Sequence, residues 1–538
     1  MSLYDRSSLI QVPSLYKDGT LVSTIPEDRS GDFTVVRGSN LSATRVGEDG
    51  YIKKGYENLL LQSNQFDTTW IKSATSVTGG QAGYDGTNNA WLLEAVASTS
   101  ARVEQPIVSN VCTLTIYAKS GTTNWMRLNA GTGGSVYFDL ENGVVGNLDS
   151  QNIDNSITSV GNGWYKITSV VPSTTHFRVY PATSNGSLAT AGDNIYIQDA
   201  QLNQGLVAYP YLETTTDPVQ GGLLENTPRL DWSNGVPAVL VEEGSTNLFR
   251  HSEFISSSGG WATANSNVSL SNIDSPDGLS KMTETTFINN GINSYIREDA
   301  VFTGGDITSS IFVKKYTGSD SFVRLVLAGI DNGVTCWFNL DTGELASSTG
   351  SPINTTIEDY GNGIYRISAS STSTIDTNGA FIFSSAATAG GYATAGAKMY
   401  FWGAQLESGS TPSSYIPTYG TSQTRSSETI SDNFNIPTTA TIYNSFYSDV
   451  AETVFVLDQV FNVVEGLNKV AIAFSPTAVK ISVGGSIVAN ATGTYDTSSL
   501  TNIQLGSDNG SDYSNAPISG FYVFPEFLTD EELNSLTD

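Results

Sequence analysis

The sequence is short of most of what catalytic and metal chemistry draws on. Its 538 residues hold two cysteines and two histidines. Two cysteines build no disulfide framework and cannot by themselves close a four-ligand zinc site. His176 and His251 exclude a histidine-rich metal centre and leave little for a Ser-His-Asp triad. Charge is sparse at 14% of residues, and positive charge is sparser: 25 Lys and Arg face 53 Asp and Glu, a net −28. Nucleic acid calls for a basic stripe that displaces counterions, and there is none. The same imbalance disfavours anionic membrane surfaces. No stretch approaches the roughly 18 uninterrupted apolar residues of a membrane helix. Met1-Ser2-Leu3-Tyr4-Asp5 opens without a basic segment ahead of an apolar one, so neither leader peptide nor span is expected.

What is present suits strands. Hydrophobic residues make up 39% and aromatics 10%, enough for several cores, and the length suggests three or four domains at roughly 100–200 residues each. With so little charge, solubility rests on Ser, Thr, Asn, Gln and the 52 glycines, residues of strands and turns. An all-β protein is expected.

One segment of the chain is echoed later, residue by residue. Glu57-Asn58-Leu59-Leu60 ahead of Trp70 corresponds to Thr246-Asn247-Leu248-Phe249 ahead of Trp261. Ile116-Tyr117-Ala118-Lys119 matches Ile311-Phe312-Val313-Lys314, and Gly161-Asn162-Gly163-Trp164-Tyr165 matches Gly361-Asn362-Gly363-Ile364-Tyr365. Tyr196 to Leu202 closes the first copy as Tyr400 to Leu406 closes the second. Apolar residues alternate within these blocks, as in Cys112, Leu114, Ile116 and Ala118, or Val334, Cys336, Phe338 and Leu340. Period two marks strands with one buried face, and short strands separated by Gly turns predict a jelly-roll type of antiparallel sandwich in each copy. Cys112 and Cys336 then read as small core hydrophobes.

The resulting division is an N-terminal segment with a hairpin connector over 1–56, a first sandwich over 57–215 and a second hairpin connector over 216–245. A second sandwich follows over 246–420, a polar linker over 421–432 and a further β unit over 433–538. In that last unit Leu528-Thr529-Asp530-Glu531-Glu532-Leu533 carries Thr at an N-cap and Glu three positions on, so one short terminal helix is predicted.

No nucleophile elbow, P-loop or dinucleotide fingerprint stands in a strand–turn–helix setting. Acid pairs such as Glu242-Glu243 and Glu358-Asp359 are the material of a glycosidase, which needs two carboxylates across a sugar. They read more simply as solvated acids. No cofactor is expected and no catalytic residue is assigned. A structural calcium site stays open, with Asp193 and Asp199 flanking the last strand of the first copy where the second has Ala397 and Gly403.

The connectors Ser42-Ala43-Thr44-Arg45-Val46 and Pro228-Arg229-Leu230-Asp231-Trp232, the two sandwich openings, and the ending Gly403-Ala404-Gln405-Leu406-Glu407-Ser408-Gly409 with Ser414-Tyr415-Ile416-Pro417-Thr418-Tyr419 resemble bacteriophage virion fibre proteins of the head-spike or head-fibre type. Residues 433–538 resemble part of a concanavalin-like, laminin-G-like sandwich. The resemblance implies jelly-roll domains similar to carbohydrate-binding modules and a structural, non-enzymatic protein at the virion surface, as a head or tail fibre. It also implies a homotrimer, other virion proteins of capsid or tail as partners, and adhesion to host cell-surface glycans; residues 1–56 are assigned to virion docking from their position in the chain alone. A polysaccharide-degrading tailspike and a ligand-free capsid decoration protein are the alternatives. Glycan binding by such modules means aromatic rings stacked on sugar faces. Trp70 and Trp261 occur in both copies and read as core. Trp91, Trp125 and Trp402, opposite about Ser280, Phe322 and Gln198, differ between copies and are the glycan-binding candidates.

Overall fold

The computed structural model describes residues 2–13, 16–17, 19–38, 41–329, 333–374, 377–448, 452–497, 503–506 and 517–538. Its architecture is tandem antiparallel β-sandwiches with one short helix at the end of the chain. In the first copy one six-stranded sheet runs in the order 144–148, 135–139, 125–129, 174–182, 102–109, 71–73, and its partner in the order 154–161, 164–171, 112–120, 194–204, 90–95, 75–81. The second copy repeats both orders strand for strand. Alternation decides the faces: Leu114, Ile116 and Ala118 are buried in the first core, Val323, Leu325 and Leu327 in the second. Cys112 and Cys336 are both buried in these cores, and burial pushes each thiol up to about 12. The Gly-Asn-Gly steps turn with positive φ at all three positions in both copies, at Asn162 and Asn362 both 53°.

Buried polar pins are repeated as faithfully as the apolar core. Asn58 donates through Nδ2 to the carbonyls of Ala200 and Leu212, and its Oδ1 accepts from the amides of Leu60 and Leu202. Asn247 does the same with Ala404, Ile416, Phe249 and Leu406. Each thereby clips the entry of its sandwich to the last strand and tail, with every amide valence used. Trp70 and Trp261 are core residues whose indole N–H donates to Gln62 O and His251 O.

The third sandwich departs from the sequence reading. Residues 433–538 supply only part of it. Its eight-stranded sheet takes in Leu9–Gln11, Arg229–Asp231 and Ala238–Leu240 alongside Ile518–Phe524, Ala440–Ser448 and the 466–492 meander. The facing five-stranded sheet puts Thr429–Asp432 between Phe33–Val36 and Ile503–Leu505. The N-terminal segment, the second hairpin and the expected linker are therefore components of this fold. Within the expected linker, Gln423–Arg425 also pairs with Ser245–Asn247, and Arg425 and Glu428 are fully buried. Polar composition there reads as solvated in sequence, yet paired charges can be buried together. Because Leu9, Phe33 and Val35 lie in the third core, removing residues 2–38 is expected to abolish cooperative unfolding of the C-terminal sandwich, measured by thermal denaturation. Retention of that transition would contradict the shared core. The terminal helix, Asp530–Thr537, begins with the predicted capping box between Thr529 and Glu532.

Candidate functional site

The three tryptophans singled out in the sequence share no surface. Trp402 is completely buried, which removes it from glycan stacking. Its N–H donates to Ser280 Oγ, its ring packs on Phe312 and Tyr415, and the Lys54 ammonium lies 5.3 Å from the ring centroid. It differs from Gln198 of the first copy because the first hairpin docks on it. Trp91 pairs with Ile197 and so faces the core. Its N–H is taken by Asn64 O, and a Cβ on Gly79 would sit 3.1 Å from its ring, so the strand backbone covers one face. Its true counterpart in the second copy is Thr283, since Thr283 pairs with Phe401 as Trp91 pairs with Ile197. Trp125 lies on the outer face of its sheet, opposite the buried Met126 and Leu128, half-covered by Gly146. Asp193 and Asp199 do not converge either. Asp193 accepts from Thr183 Oγ1 and Thr190 N, and Asp199 from Tyr84 OH. Among the described residues no group of three or more His, Cys, Asp or Glu is placed to hold a metal.

A different site emerges where the hairpins meet the second sandwich. The first hairpin, Thr44–Val46 with Ile52–Asn58, lies across the outer face of sheet strands Gly305–Lys315 and Lys398–Ser408. Ile52 N donates to Pro276 O at 2.9 Å, and Lys54 Nζ sits 2.8 Å from Glu253 Oε1 and 2.7 Å from Asp277 Oδ2. The second hairpin, Arg229–Asp231 with Ala238–Leu240, pairs with the edge of the third sandwich. The hairpins lock together: Trp232 N donates to Val46 O, Val46 N to Asp231 Oδ2, and Arg45 Nη1 to Leu230 O.

Between them and the sandwich opens a cleft of about 400 Å³, walled among others by Trp232, Asp231, Glu242, Asp359, Tyr360 and Arg366. A second, open groove of about 450 Å³, also walled by the first hairpin, shares Trp232 and Arg45 with the cleft. The sequence-predicted acid pairs meet here, and they are not alike. Glu243 is exposed, whereas Glu242 is buried. Glu242 Oε2 lies 2.7 Å from Arg229 and 3.1 Å from Arg425, and Ser414 donates to it through both N and Oγ. These partners overcome its burial and hold the carboxyl down to about 2. Arg229 also pairs with Glu428, which lies 3.1 Å from Arg37, so the charges form one buried ladder tying the N-terminal segment, the hairpin and the chain after the second sandwich. A carboxylate ionised to that depth cannot serve as a general acid at neutral pH. Asp359 accepts from Gly361 N and Asp231 from Ser233 N, which fixes both orientations. The cleft therefore offers an indole, fixed carboxylates, hydroxyls of Ser233 and Ser413, and the amide of Asn234. That set can stack on and hydrogen-bond a hydroxyl-rich ligand.

No family model and no curated protein matches the chain. Among solved structures it is similar to the N-terminal tandem CBM22-1–CBM22-2 domain of Xyn10C from Paenibacillus barcinonensis. That likeness has 10% identity and a TM-score of 0.21, over 69% of this chain and 99% of the other. A likeness of this order assigns neither family nor ligand.

Trp232 is the residue that sequence reasoning missed. The signal was available: the first connector has no tryptophan between Arg45 and Gly50, where the second has Asp231-Trp232-Ser233. The comparison that flagged Trp91 and Trp402 between sandwiches flags Trp232 when applied to the connectors.

Proposed function

We propose that the chain is a glycan-binding structural protein, a surface fibre or spike of a bacteriophage virion that binds host glycans without cleaving them. The observation that supports it best is the half-buried Trp232, held by two interlocked hairpins in a cleft of fixed polar groups. Preorganisation of this kind lowers the entropy lost on binding. The role needs no reaction centre. Rigid sandwiches in tandem carry weak sites outward, and a homotrimer multiplies them by avidity. Virion attachment and the trimeric state rest on the sequence resemblance alone, and immunolabelling of purified particles with mass determination of the protein tests both.

For the site, Trp232→Ala is expected to weaken binding to host-cell polysaccharide by about tenfold or more, at the scale of one lost stacking contact. Trp125→Ala, on the outer face of the first sandwich, is expected to leave it unchanged. Titration calorimetry on both variants decides: equal loss in the two would refute the cleft. Incubation with capsular polysaccharide is expected to release no reducing ends, and their appearance would favour the tailspike alternative.

A further inference from the structure

We infer that the cleft and the outer groove act as one binding surface, and that it takes an internal segment of an uncharged polysaccharide chain across Trp232. This deepens the glycan reading and rests on it. The two hollows are walled by the same two side chains, Trp232 and Arg45, so the indole stands between them. The Arg45 guanidinium is held by Leu230 O, and the main chain at Trp232 by the bond from its N–H to Val46 O. A single sugar would occupy one hollow and leave the other wet. A chain of several units crosses the tryptophan and uses both, and its second contact forms at high effective concentration once the first is made.

Charge restricts the class of chain. Asp231, Glu358 and Asp359 line the cleft beside Glu242, which Arg229 and Arg425 already neutralise, and Glu48 and Asp49 line the groove. The bases present are already engaged: Arg45 with Leu230 O, Arg366 with Ser413 O at 2.8 Å, and Lys53 with Asp49. A uronate or sialate carboxylate would meet more negative charge than positive, within a molecule of net −28. Hydroxyl groups suit these carboxylates, which accept from them.

The test is calorimetric titration of the full chain with cello-, malto- and xylo-oligosaccharides from one to six units, beside an oligogalacturonate series of the same lengths. Affinity for a neutral series is expected to climb by about tenfold or more from two units to five. Lys53→Ala, in the groove wall, is expected to weaken the longest oligomer by a larger factor than the disaccharide, and an equal loss for both would overturn the spanning surface. Equal affinity at two and six units would overturn the spanning surface while leaving the cleft as a glycan site. Preference for the galacturonate series would overturn the uncharged class. Silence from every series would overturn the glycan reading itself.

Discussion

Exchanging Lys54 for methionine is expected to destabilise the protein by about 3–5 kcal/mol, the range found when one member of a buried ion pair is removed. Lys54 is almost wholly shielded from solvent, and so are Glu253 and Asp277, which both hold its ammonium. Without it two carboxylates remain in a pocket closed by Tyr415 and Tyr419, whose hydroxyls donate to Glu253 Oε1. A variant that also carries Glu253→Gln and Asp277→Asn is expected to recover most of the loss, because the uncompensated charge is the cause. The urea midpoint reads both, and a shift equivalent to less than about 0.5 kcal/mol in Lys54→Met would refute the account. Acid resolves the same cluster. The neighbouring ammonium and the hydrogen bonds from Ser275 and Ser280 hold Asp277 at about 2. A carboxyl depressed on folding contributes stability above its unfolded value near 3.9, and that share fades as pH falls toward 2. Since Lys54 fastens the hairpin that carries Arg45, Lys54→Met is also expected to weaken glycan binding through loss of the cleft's wall.

Glu298→Gln is expected to stabilise the protein at pH 8 and to change little at pH 4. The repeat supplies the reason. In the first copy Gln105 accepts from Leu61 N and donates to Leu61 O, both at 2.8 Å. The equivalent Glu298 accepts from Arg250 N, but its second oxygen has no hydrogen-bond partner and its side chain is 1% exposed. A carboxylate cannot donate, so only the protonated form can copy the glutamine. Burial pushes the group up to about 7, and Arg250, 3.7 Å away and largely exposed, offsets little of it. Here the folded state binds the proton more tightly than the unfolded chain. Stability therefore falls as pH rises from the ordinary glutamate value near 4.3 to 7, and the glutamine variant escapes that fall. The gain at pH 8 is expected to reach about 3 kcal/mol. Thermal unfolding of both proteins from pH 4 to 8 measures it, and parallel curves would refute it.

Much of the molecule can be read from local pattern alone. Period-two alternation, Gly-Asn-Gly turns and residue-level repetition determine two like sandwiches, because strands and tight turns depend on neighbours in sequence. Trp70, Trp261, Cys112 and Cys336 are placed by the same logic, since each falls on an apolar face. The capping box at Thr529 is likewise local. Tertiary structure alone decided the rest. Leu9 and Phe33 reach the third core across most of the chain, and strand partners so far apart leave no periodic mark on either. Arg37, Arg229, Glu242, Arg425 and Glu428 look solvated one by one, and become a buried ladder only when segments distant in sequence bring opposite charges together. Trp402 and Trp232 make the same point from opposite sides. One is hidden by a docked hairpin and the other is presented by a pair of them, and the exposure of an aromatic ring is set by what packs against it, which its own neighbours in sequence do not encode.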